Sequence, residues 1–170
     1  APPQAAAAAG GSPAPTRRGL FALLAGAAIA PRAAEAREYA SAGEVLDTID
    51  RLAAEVEAAL LAIARAVPLA RPFADSVRAD HARERADRDA IRGRRRLPAS
   101  SAPGVPPAEA ATSLDALRAA QQELVHAHAE GLPALDDEAA VQVLAGHLVE
   151  ASRRLTVIDL WIELEAERAG

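Results

Sequence analysis

The stretch from Asp136 to Glu167 constrains this chain more than any other. Val141, Leu144, Leu148, Leu155, Ile158 and Ile162 recur in it at threes, fours and sevens. That spacing sets residues on one face of an α-helix. Its second half, Leu155 to Leu164, is apolar nearly all round. A helix of that kind is covered on several sides, by its own domain or by a partner.

Upstream, three more segments carry the same period. Val45, Ile49, Leu52, Val56, Leu60 and Ile63 mark a helix over about 40–66, which Ser41 or Gly43 can start and Val67-Pro68 ends, because the residue before Pro resists the α conformation. Pro72 suits the first turn of a second helix over about 70–95. Phe73, Val77 and Ile91 lie on one of its faces and several Ala on another; between them it is heavily charged, which makes it the least buried helix by pattern. Residues 97–111 hold Pro98, Pro103, Gly104, Pro106 and Pro107 and read as a linker. Ser113 or Thr112 can cap a third helix over about 114–130, with Leu114, Leu117, Leu124 and Val125 inside. Gly131-Leu-Pro133 stops it, and Asp136, Asp137 and Glu138 open the fourth helix, over about 136–167, with acids at its positive end. Two hairpins sharing one apolar seam predict an all-α four-helix bundle over residues 37–170. No stretch alternates as a strand does. The core must come from Leu, Val, Ile and Ala, because only 2% of residues are aromatic.

All 19 basic residues are Arg, and Lys, Asn, Cys and Met do not occur. That usage reads as the codon bias of a GC-rich genome, and a chain without Met is expected to be trimmed or a fragment. Without Cys there is neither a disulfide nor a thiolate metal site. The net charge is −5, of which residues 1–36, with Arg17, Arg18, Arg32 and Glu35, contribute +2 and the remainder −7. An acidic body argues against nucleic acid as a partner, since that binding needs a basic footprint.

Residues 1–15 are uncharged Ala, Pro, Gly, Ser and Gln. Thr16-Arg17-Arg18-Gly19-Leu20-Phe21 follows, then an apolar run to Ala30, Pro31, and a small-x-small site at Ala34-Glu35-Ala36. Basic flank, short apolar segment and small-residue exit are the parts of an export signal. The run is too short for the roughly twenty residues that span a bilayer. The Arg17-Arg18 pair resembles a twin-arginine (Tat) signal, although Leu20 stands where that pattern prefers Phe. The resemblance implies recognition by the Tat translocase, removal of residues 1–36, and delivery to a thylakoid lumen or a bacterial periplasm. The leader ahead of the arginines looks like the tail of a plastid transit peptide, which favours the lumen, and equally like the Ala-rich padding of a GC-rich bacterial genome.

Two functions from different classes fit the mature part. The first is a non-catalytic accessory subunit that docks on a larger membrane-associated protein complex. The surplus apolar girth of Val157, Leu160, Trp161 and Leu164 is its anchor, because Trp and large apolar patches mark partner sites. The cluster Arg94, Arg95 and Arg96 either completes the second helix's C-terminus or meets an acidic partner. In a lumen this is similar, in signal type, size and helix count only, to the PsbQ-type extrinsic subunit of photosystem II, and the partner is then a photosynthetic complex.

The second is a metal-binding bundle. His81-x-x-Glu84, Glu123-x-x-His126 and His147-x-x-Glu150 each place His and carboxylate on adjacent turns. Bundles that hold two metals use inward Glu and Glu-x-x-His, so the mature part resembles the ferritin-like superfamily. At 100° per residue Glu123 and His126 point away from the apolar side. The inward set is then Glu57, His81, Glu84, His128, His147 and Asp159, and under this resemblance the cofactor is iron or manganese. Mutual hydrogen bonding and ion pairing is the alternative role for those six residues. No phosphate loop, nucleophile elbow or haem-attachment motif is present.

Overall fold

A computed structural model of the chain describes residues 38–100 and 113–169. The export signal expected at residues 16–36 and most of the linker lie outside the described residues. The described chain is helical with no strand: α1 is Ala42–Ala66, α2 Arg71–Arg95, α3 Leu114–Gly131 and α4 Glu138–Ala169. Single 3₁₀ turns at Pro68–Ala70 and Leu132–Ala134 join α1 to α2 and α3 to α4. This is the expected all-α four-helix bundle of two hairpins.

The helix ends follow from local chemistry. Ser41 caps α1 by accepting a hydrogen bond from the Glu44 backbone, and Ser113 does the same for Ala116 in α3. Each satisfies one of the donors a helix start leaves open. In α1, Val67 before Pro68 is extended, as expected. α2 ends with Arg96 in the left-handed region at φ 55°, while the Leu97 backbone N–H bonds the Arg92 carbonyl at 2.9 Å. That is the six-to-one bond of a Schellman ending, with Arg where Gly is usual and half-buried Leu97 as its apolar contact.

Cross-helix pairs fix the topology. Asp50 meets Arg88, and Asp47 meets Arg92, so α1 and α2 are antiparallel. Phe73 meets Trp161, Glu84 meets Arg154, and Asp87 meets His147, so α2 and α4 are antiparallel. Arg118 pairs with Asp159, and Gln121 with the Ala151 carbonyl, which makes α3 and α4 antiparallel. Gly131, at the end of α3, lies against Val45, near the start of α1. α2 and α3 therefore run parallel, which sets the end of α2 and the start of α3 at opposite ends of the bundle.

The closest packing is of α1 on α3 and of α3 on α4, whereas α2 and α4 approach closely at few positions. Side-chain size explains the difference. α1 presents Val45, Leu46, Ile49, Leu52, Ala53, Val56, Ala59, Leu60 and Ile63, and α3 meets it with small residues including Ala127 and Gly131. Ala and Gly let backbones come near. Any Cβ at Gly131 would run into the Val45 side chain, so this position needs glycine for space. Between α2 and α4 stand long polar side chains instead.

Candidate functional site

Each helix other than α1 carries one inward line at alternating threes and fours, and each line includes buried polar residues. On α2 the line is Ala74, Val77, His81, Glu84, Arg88 and Ile91; on α3 it is Leu117, Gln121, Leu124, His128 and Gly131; on α4 it is Leu144, His147, Ala151, Arg154 and Ile158. His81, Glu84, Arg88, Gln121, His128, His147 and Arg154 are all buried, with Arg88, Gln121 and His128 fully so. α1 adds buried Asp50.

Asp50 is the hub of one half. Its Oδ1 accepts from Arg88 Nε at 2.7 Å and its Oδ2 from Arg92 Nη2 at 2.7 Å. Burial pushes the Asp50 carboxyl up, but the charges and hydrogen bonds of Arg88 and Arg92 together outweigh it, and the carboxyl titrates below its usual range. Arg92 also donates to Asp47 at 2.9 Å at the rim. Despite its burial, the hydrogen bonds to Asp50 and Asp47 raise its guanidinium above the ordinary value.

Glu84 is the hub of the other half. Its Oε1 accepts from Arg154 Nη2 at 2.5 Å, and its Oε2 lies 4.0 Å from Arg88 Nη1. Arg154 also approaches Asp80 at 3.5 Å. Beside this chain stand the imidazoles. His128 and His147 lie edge to face with ring centroids 6.2 Å apart. His128 Nδ1 bonds the Leu124 carbonyl at 2.8 Å, and His147 Nε2 bonds the Asp87 carboxylate at 3.1 Å. A carbonyl or a carboxylate only accepts, so both of those nitrogens carry protons, and on the neutral His128 ring Nε2 is a bare acceptor. Burial, reinforced by Arg154 and Arg88, depresses His81 to about 3. Burial, opposed in part by the Leu124 carbonyl, likewise depresses His128 to about 3. Both rings are neutral near pH 7.

The expected inward six divide here. His81, Glu84, His128 and His147 are brought together, while Glu57 and Asp159 are not. Asp159 turns half-exposed to Arg118, 2.5 Å away, because Ile158 beside it holds the core line. Glu57 is half-buried at the edge of α1; desolvation raises its carboxyl against the fields of Arg85 and Arg78. Glu123 and His126, expected to face solvent, are half-buried. Among the described residues no group of three or more His, Asp or Glu is arranged to hold a metal ion. The guanidinium groups of Arg88 and Arg154 bear on His81 and His128, a charge that opposes a cation.

Of the expected docking residues, Leu160 and Leu164 are exposed, at 52% and 50%, and Val157 is half-buried. Trp161 is half-buried because its ring packs edge-on against Phe73, centroids 4.9 Å apart. In the basic cluster Arg95 pairs with Asp136 across to the start of α4, Arg96 forms the left-handed cap, and Arg94 is exposed. Arg95 therefore serves the helix end through its charge and Arg96 through its backbone.

Sequence reasoning missed Arg88, Arg92, Arg154 and Asp50, whereas face arithmetic does set Gln121 beside His128 on the apolar side of the third helix. The signal was the spacing. Arg88 continues Val77, His81 and Glu84 by a further four, and Arg154 sits between Ala151 and Ile158 at three and four. Searches for similar proteins among family models, curated proteins and solved structures returned no match.

Proposed function

We propose that this chain is a non-catalytic helical module that docks, through the far end of α4, on a larger membrane-associated protein complex. The observation that supports this reading is the row Val157, Leu160, Trp161 and Leu164. Its members recur at three, four and seven residues along α4, two of them exposed and two half-buried. Trp161 packs on Phe73 within the bundle, which leaves Leu160 and Leu164 as large apolar side chains that the core does not cover. Glu163, Glu165 and Glu167 flank the row and are exposed, so the complementary surface is apolar with a basic rim. Delivery by the Tat route to a lumen or periplasm belongs to the same proposal.

The test is migration of the tagged chain in its native membranes after mild solubilisation. The wild type should run with a complex many times its own mass, and Leu160→Asp/Leu164→Asp should run alone with unchanged helicity. The exposed positions make that variant's folding cost small. A wild type that runs alone, or a variant that still co-migrates, overturns the proposal.

A further inference from the structure

The polar core satisfies only part of its own hydrogen-bonding capacity. Arg88 is the largest fully buried side chain and spends only Nε, on Asp50. Its Nη1 and Nη2 have no hydrogen-bond partner in the protein, and neither does Arg154 Nη1. Both ring nitrogens of His81 share that condition, as do His128 Nε2, His147 Nδ1, Glu84 Oε2 and Gln121 Oε1. Buried polar groups are ordinarily paired, because an orphan forfeits its hydration without replacement. So many around one pair of guanidinium groups ask for something to bind.

Their chemistry says what kind. The open positions on Arg88 and Arg154 are donors in the planar fork that suits the oxygens of an oxyanion. The open position on His128 is an acceptor, since its Nδ1 carries the proton. Glu84 Oε2 and Gln121 Oε1 also accept. A ligand for this set therefore presents acceptor oxygens on one side and at least one hydroxyl on the other. Hydrogen phosphate does so; sulfate, with no proton near neutral pH, does not. Charge agrees: the buried guanidinium groups of Arg88, Arg92 and Arg154 outnumber the buried carboxylates of Asp50 and Glu84. Asp47 and Asp89 approach Arg92, and Asp80 approaches Arg154, only from the part-exposed rim. The neutral imidazoles leave that surplus in place.

We propose that the bundle core between α2 and α4 binds a small protonated oxyanion of the hydrogen-phosphate type, held by Arg88 and Arg154 through its oxygens and by His128 or Glu84 through its hydroxyl. The site is independent of the apolar row on α4.

The experiment uses the full chain, unfolded and refolded in inorganic phosphate, sulfate or chloride at matched ionic strength near pH 7. Sulfate stabilises folded proteins generally by exclusion from their surface, so phosphate must exceed it to count. At a hundred times its dissociation constant, phosphate should raise the folding equilibrium constant about a hundredfold, against a smaller rise in sulfate. Desalted protein refolded in phosphate should release close to stoichiometric phosphate on acid denaturation. Arg154→Met and Arg88→Met should each abolish both the excess over sulfate and the retained phosphate. Arg88→Met leaves Asp50 its bond to Arg92, and Arg154→Met carries the test if that variant fails to fold. If neither folds, the wild-type comparison and the release assay decide. A phosphate effect no larger than that of sulfate, or no retained phosphate, means that water alone completes the network, and the proposal is overturned. A phosphate excess that survives in a folded variant overturns it equally.

Discussion

Acid should loosen this bundle well before its carboxylates protonate. His81 and His128 titrate near 6.5 when exposed and at about 3 in the fold. The folded pKa is depressed, so protons bind the unfolded chain preferentially. Stability from this source is fully present above about pH 6.5 and falls as pH drops from there toward 3. From pH 7 to pH 5 each ring should cost about 2 kcal/mol, and the two together about 4 kcal/mol. That is a large share of the roughly 5–15 kcal/mol that holds a domain of this size. Asp50 does not blur this window. Its carboxyl is depressed below 3.8, so its contribution is lost only at lower pH. Glu57, raised by burial, acts in the opposite direction and gains as pH falls.

The assay is urea unfolding followed by circular dichroism at half-unit steps from pH 7 to 5, in chloride so that no oxyanion intervenes. Imidazole proton shifts by NMR provide a second reading. His81 and His128 should stay neutral in the folded protein at pH 5. The double variant His81→Gln/His128→Gln should flatten the profile, and each single variant should remove about half of the slope. A midpoint that does not move between pH 7 and 5, or imidazole shifts showing a charged ring at pH 5, would refute the reasoning.

Asp50→Asn should destabilise the bundle by about 3–5 kcal/mol, because Arg88 and Arg92 lose the carboxylate that compensates them in a buried site. Asp47→Asn, at a side chain 42% exposed, should cost under about 1 kcal/mol in the same denaturation experiment. Gly131→Ala should cost about 1–3 kcal/mol from overpacking against Val45, despite the better helix propensity of Ala. In a Val45→Ala background the penalty should shrink by at least half, and a penalty unchanged there would place the strain elsewhere.

The architecture was legible because its signals are local. Apolar residues at threes and fours, Ser41 and Ser113 as caps, and Pro68 and Pro133 as stops each act within a few residues. The inward histidines were legible for the same reason, since face arithmetic carries His81, Glu84, His128 and His147 to the interior from their spacing alone. Arginine misled it. A charged residue is expected on the surface because burying it unpaired is costly, and its partner here comes from another helix. Asp50 is 38 positions from Arg88, and Glu84 is 70 from Arg154. Pairing at that range does not register in periodicity. Asp159 failed in the opposite sense: it lies one residue from the α4 core line, and Arg118 on α3 draws it outward.

The parallel run of α2 and α3 gives the molecule two unlike poles. One gathers the start of α1, the Schellman ending of α2 and the turn between α3 and α4, where Arg95 meets Asp136. The other gathers the α1–α2 turn, the start of α3 and the tail of α4 with Leu160 and Leu164. A fluorophore or tether fixed just ahead of Ser41 therefore enters the bundle about a helix length from the leucines, and a surface that grips the tail leaves that attachment point unobstructed.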